Sequence, residues 1–113
     1  MQRINFKRDY NNKLSNSYFL TTRVKNDKYA VGQEYELFDE EKGFIRGYGR
    51  IIRIREITDA DINDWQALLD SGLPAAELRA ELATLYGEHY KLKRLYLILI
   101  HRISKQPIQG SLF

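Results

Sequence analysis

The sequence predicts one α+β domain, a small mixed β-barrel of about five to six strands with flanking helices over residues 1–104, followed by a tail at 105–113. Three observations carry that expectation. A chain of 113 residues fits one hydrophobic core, since single cores organise ~50–200 residues. Its 43% hydrophobic and 29% charged residues give the balance of a globular protein, not a disordered one. Apolar residues recur with a period of two in most of the chain, while helical spacing is concentrated between Thr58 and Gly87.

Ile4 and Phe6, alternating with polar residues, predict a short first strand. Asp9 is placed to cap a brief helix that shows Tyr10 and Leu14 on one face and ends near Ser15-Asn16. Phe19 to Val24 reads as the second strand, with Thr21, Arg23 and Lys25 on one side and Leu20, Thr22 and Val24 on the other. Tyr29-Ala30-Val31-Gly32 turns into an alternating strand, Glu34 to Phe38, and Asp39 to Gly43 has the composition of a hairpin loop. In the long run from Phe44 to Ile57, Arg46, Tyr48 and Arg50 share one parity and Arg53 and Arg55 the other. A β-bulge near Ile51-Ile52 would bring them onto one continuous face, and Gly47 and Gly49 are places to bend.

Thr58-Asp59-Ala60-Asp61 has the spacing of a capping box, predicting a helix that carries Ile62, Trp65, Leu68 and Leu69 inward and stops at Gly72. Pro74 suits the first turn of a second helix, with Leu78, Leu82, Leu85 and Tyr86 as its apolar stripe and Gly87 as its stop. The run Leu95 to Ile100 implies a central strand within Arg94 to Ile103, buried on both faces.

Composition narrows the function classes. No apolar run reaches the ~20 residues that span a bilayer, and Met1 to Asn5 lacks a secretory signal, so the expected location is the cytosol, away from membranes. Without cysteine there is neither disulfide nor thiolate chemistry, and His89 and His101 have no neighbours at ligand spacing, so both read as structural; no cofactor and no His-based metal site is expected, which leaves carboxylates as the one formal source of metal ligands. The net charge of +3 is modest, yet basic residues cluster in the N-terminal stretch, at Lys42 to Arg55 and at Lys91 to Lys105.

The order of these elements, together with Asn16-Ser17-Tyr18-Phe19-Leu20-Thr21-Thr22-Arg23, resembles the ASCH family of PUA-like domains over residues 2–103. That family has a Gly-x-Lys-x-x-Thr-x-Arg pattern here. Thr21 and Arg23 match it, Asn16 stands where Gly is usual and is one of the few residues that tolerate a left-handed backbone, and Tyr18 stands where Lys is usual. Gly32-Gln33 at a strand entry and Tyr86 closing the helical pair extend the resemblance.

The resemblance implies a barrel whose helices leave a basic cleft for RNA or a modified nucleoside. In the amidohydrolase members a Lys, a Thr and a Glu carry the reaction; these positions fall here on Tyr18, Thr21 and about Ser71. Asp70 is placed to substitute for the carboxylate, and Lys25 lies on the strand face of Thr21, but neither Tyr nor Ser replaces a lysine-carboxylate pair as a base for a Thr hydroxyl. The expectation is therefore a non-enzymatic nucleic-acid-binding module, with hydrolysis of a modified nucleoside by Thr21 as the alternative.

Candidate contacts are Tyr18, Thr21, Arg23, Lys25, Arg46, Tyr48, Arg50, Ser71, Tyr90 and Lys93, since tyrosines interleaved with cations suit base stacking beside phosphate binding. Trp65 reads as core. Gln109-Gly110-Ser111-Leu112-Phe113 resembles the peptide by which bacterial DNA-handling proteins dock on the replication sliding clamp, with Gln109, Leu112 and Phe113 as anchors. The other reading of the tail has Leu112 and Phe113 packing back on the domain.

Overall fold

The computed structural model describes residues 1–104. Its elements are β1 (Gln2–Phe6), a 3-10 turn at Tyr10–Ser15, β2 (Tyr18–Val24), β3 (Glu34–Asp39), β4 (Phe44–Ile57), a 3-10 turn at Asp59–Asp61, α1 (Asp64–Ser71), α2 (Ala75–Tyr86), a 3-10 turn at Glu88–Leu92 and β5 (Leu95–Ile103). The five strands form one mixed sheet in the order β1-β3-β4-β5-β2. β1 and β3 are parallel, and the other three pairings are antiparallel. Among the described residues no helix is long and apolar enough to cross a membrane.

Curling of the sheet brings its two edge strands towards each other: the ring of Phe6 on β1 meets Phe19 on β2 edge to face, with centroids 6.0 Å apart. Ile4, Leu37, Ile51, Ile98 and Ile100 fill the inside of this half-barrel. A second core lies where α1 and α2 cover Leu95 and Leu97, with Ala67, Leu78, Leu82 and Tyr90. β5 sits between β4 and β2 and serves both cores through alternate residues, which explains its continuous apolar run.

Curvature comes from the bulge and the glycines of β4. Its pairing with β5 shifts register between Ile51 and Arg53, at the place the parity change predicts. Gly49 lies under the sheet interior, where an added Cβ would stand 2.5 Å from Ile100 Cγ2 and 3.3 Å from a Leu37 methyl. Gly49→Ala is expected to destabilise the fold by about 1–3 kcal/mol through overpacking. A urea melt should read this as a lower midpoint with unchanged slope.

Three local expectations are corrected. Asp9 precedes the Tyr10–Ser15 turn, but its carboxylate accepts from Leu14 N at 2.9 Å instead of closing the first turn. The left-handed residues are Asn11 (φ 60) and Asn12 (φ 53), whereas Asn16 is extended (φ −80, ψ 152). The Thr58 capping box forms, with Thr58 N donating to Asp61 Oδ2 at 2.8 Å, yet it closes only a single 3-10 turn.

Helix α1 starts afresh at Asn63, whose side chain accepts from Gln66 N, and ends at Gly72 in the left-handed conformation (φ 75). The restart changes which face is buried. Ala67, Asp70 and Ser71 turn inward, and their small size lets α1 approach β2 closely, leaving Trp65 80% exposed and Leu68 and Leu69 exposed as well. Trp65 is a surface residue, not core.

Candidate functional site

β2 is an edge strand, so alternate backbone groups have no strand partner and need another one. Two side chains supply it. Asp70 Oδ2, from α1, accepts from Thr22 N at 2.9 Å, and Lys13 Nζ, from the Tyr10–Ser15 turn, donates to Leu20 O at 2.9 Å. Lys13 and Asp70 also pair directly with each other. Both are buried, Lys13 2% and Asp70 4% exposed.

The pair forms part of the wall of a cavity of about 240 Å³ that opens between β1, β2, α1 and α2. Thr21, Arg23 and Ser71 line it, with Phe6, Leu78, Leu82, Leu85 and Tyr86 as apolar and aromatic walls. Arg23 Nε donates to Thr21 Oγ1 at 3.1 Å, and the guanidinium lies over the Phe6 ring, 4.6 Å from its centroid. Tyr10 and Glu81 stand on another side, the phenol donating to Glu81 Oε2 at 2.8 Å. Ser71 Oγ donates back to Ala67 O at 3.0 Å and accepts from Leu73 N at 3.2 Å.

Burial pushes the Lys13 ammonium below its ordinary 10.5; the Asp70 carboxylate opposes that shift and the Arg23 charge adds to it. Burial, and then the bond to Glu81, pushes Tyr10 up to about 12, so it stays a neutral donor. Burial also raises Tyr86, against the Arg23 charge.

The cavity thus gathers Thr21, Arg23 and Ser71 from the sequence-derived set. The other candidates lie elsewhere. Lys25 pairs with Glu56 at 3.3 Å, and Lys93 lines a separate depression with Lys25 and Asp27. Arg46 is held by Asp39 at 3.1 Å and Asp9 at 3.2 Å, and Arg50 by Glu34 at 2.5 Å. Tyr48 is half-buried on β4, paired in register with Ile103 of β5. Tyr18, 56% exposed, stacks on His101 with ring centroids 4.4 Å apart and planes 7° from parallel. Tyr90 has 0% exposure and donates to Asp59 Oδ1 at 2.6 Å, which leaves no ring face for a base. Gln109, Leu112 and Phe113 lie outside the described residues.

Lys13 is the residue that sequence reasoning missed. In a polar stretch, Asn11-Asn12-Lys13, a lysine reads as solvated, and its only local signal is the i,i+3 spacing from Tyr10. Asp70, weighed as a substitute carboxylate, does lie at the cavity, and Lys13 rather than Lys25 is the lysine beside it.

Fold and site together define a small α+β half-barrel with a cavity of about 240 Å³ at the free edge of one strand. The crystal structure of protein EF3133 from Enterococcus faecalis V583, described under DUF984, is similar to it with a TM-score of 0.60. The two share 11% sequence identity over 91% of this chain and 81% of that one, a likeness of fold. No protein-family model matches the chain, and no curated protein does.

Proposed function

We propose that this chain is an ASCH-type, PUA-like domain whose cavity binds a nucleoside-sized ligand and hydrolyses an acyl-amide bond on it. The observation that carries the reading is the buried Lys13–Asp70 pair in one cavity with the Thr21 hydroxyl and the Arg23 guanidinium. At about 240 Å³ the cavity falls just below the ~300–1,000 Å³ usual for drug-sized ligands, which suits a base or nucleoside better than a strand. Phe6, Leu78 and Leu82 offer an apolar wall to a ring, and Arg23 a cation to an oxygen-rich edge.

The chemistry follows from the groups present. A Thr hydroxyl becomes a nucleophile when a base takes its proton, and burial lowers the Lys13 pKa, in the direction of the neutral amine that such a base must be. The hydrogen bond from Arg23 favours the alkoxide form of Thr21 further. In the proposed reaction Thr21 Oγ adds to the acyl carbonyl as Lys13 takes the hydroxyl proton. The ammonium then returns that proton to the departing amine, leaving an acyl ester on Thr21. Water, deprotonated by Lys13, adds to the ester; the free acid departs as the ammonium gives its proton to the Thr21 oxygen, which restores both the hydroxyl and the neutral lysine. Asp70 orients the lysine and balances the charge of the ammonium that each proton transfer creates.

Strand binding in the same cleft has less support, because cations that would line an open groove already have carboxylate partners: Lys13 with Asp70, Arg46 with Asp39 and Asp9. The test is a panel of N-acylated nucleosides incubated with the protein and read by mass, beside the Thr21→Val variant. Turnover in the wild type and its loss in Thr21→Val, by about 10²-fold or more, is the expected result. Turnover that survives Thr21→Val, or none across the panel, removes the hydrolytic reading.

A further inference from the structure

A second surface, separate from the cavity, carries the features of a strand-binding platform. On the sheet face turned away from the half-barrel interior, α1 and α2 cover only the Leu95 and Leu97 end. The register continues that face across three strands: Tyr18 pairs with His101 and Leu20 with Leu99, while Arg50 pairs with His101 and Arg53 with Leu99. The bulge at Ile52 makes this possible, since without it Arg53 and Arg55 would point into the core and Ile54 outward.

Arg53 and Arg55 are exposed, and among the described residues neither guanidinium has a hydrogen bond or ion pair; the charge of Arg55 acts on Asp61 at longer range. They flank a depression of about 360 Å³ floored by Leu20, Leu97 and Leu99. The Tyr18–His101 stack lies along the same strands. Cations spaced about 7 Å apart along a strand, an apolar floor and an exposed aromatic face match the phosphates and unstacked bases of a single strand. A duplex, whose bases are already stacked, could use only the charges.

We infer that this outer face of β2, β5 and β4 binds single-stranded nucleic acid, with Arg53 and Arg55 on phosphates and Tyr18, backed by His101, stacking on a base. The site does not depend on the hydrolytic reading of the cavity.

Fluorescence anisotropy with labelled RNA and DNA oligonucleotides of one sequence, single-stranded and duplex, over a salt series tests it. Single strands bind more tightly than duplex, and Arg53→Glu with Arg55→Glu weakens them by about tenfold or more. The slope of log affinity against log salt falls by about 1.4, as expected for two lost contacts at ~0.7 each. Tyr18→Ala weakens binding by about fivefold or more, while Tyr18→Phe, which keeps the ring, binds as wild type does. Thr21→Val leaves the affinity unchanged and separates this surface from the cavity. Comparing the RNA and DNA arms reports whether a 2′-hydroxyl contributes. Duplex binding equal to single-strand binding, indifference to the double charge reversal, or loss of binding in Thr21→Val overturns the inference.

Discussion

Lys13→Met is expected to lower the unfolding free energy by about 3–5 kcal/mol, the cost of leaving one partner of a buried ion pair alone. The Asp70 carboxylate would remain 4% exposed, tied to Thr22 N, with no cation against it. Leu20 O would also lose its donor on the free edge of β2. Lys13→Met with Asp70→Leu is expected to recover a large part of that loss, because no charge then stays buried, although Thr22 N and Leu20 O remain unpaired. Urea melts of the three proteins measure both effects. A Lys13→Met chain as stable as wild type would mean that the pair is hydrated and contributes little.

The same residue sets a pH dependence. Burial lowers the Lys13 pKa in the folded chain below its ordinary 10.5, so between those two values the unfolded chain binds more protons than the folded one. Stability therefore rises with pH across that window and is lost as pH falls through the depressed value. Tyr10, pushed up to about 12, acts in the opposite sense above pH 10, so the comparison belongs below that point. Lys13→Met should flatten the rise.

The second large effect separates structure from chemistry. Lys13→Arg keeps a cation beside Asp70 but introduces a group that does not give up its proton in proteins. Turnover of an N-acylated nucleoside is expected to fall by about 10²–10⁴-fold, the usual contribution of a general base, with most of the stability retained. Where the wider guanidinium disturbs the site, a urea melt reports it, and Thr21→Val then carries the test alone. If Lys13→Arg turns over substrate as wild type does, the lysine only secures the β2 edge.

Much of the architecture was legible because it rests on local rules. The alternation of Tyr35 and Leu37, the stop at Gly72 and the bulge beside Ile51 each follow from side-chain period or backbone preference within a few residues. Trp65 was misplaced for a related reason. Its spacing from Ile62 assumes one unbroken helix, whereas Ile62 is extended and the helix restarts at Asn63, which rotates the buried face to Ala67, Asp70 and Ser71.

The candidate site was legible only in part. Thr21 and Arg23 stood out because they match the Thr-x-Arg part of the pattern that the sequence resembles, and Asp70 because it adjoins Ser71. Lys13 did not, since its burial depends on α1 crossing a strand that follows it by several residues and presenting a carboxylate 57 positions along the chain. Tyr90 failed in the opposite direction: beside Lys91 and Lys93 it looked exposed, yet the second core encloses its ring and Asp59 accepts its hydrogen bond.

By itself the sequence determined the α+β class, the strand and helix order and the alternation along β1, β3 and β4, because these depend on periods of two and 3.6 and on capping residues. Only the tertiary structure decided which polar groups share a cavity. Which side chains satisfy the free edge of β2 is set by the sheet order and by the close approach of α1, so the meeting of Lys13 and Asp70 beside Thr21 has no local signature.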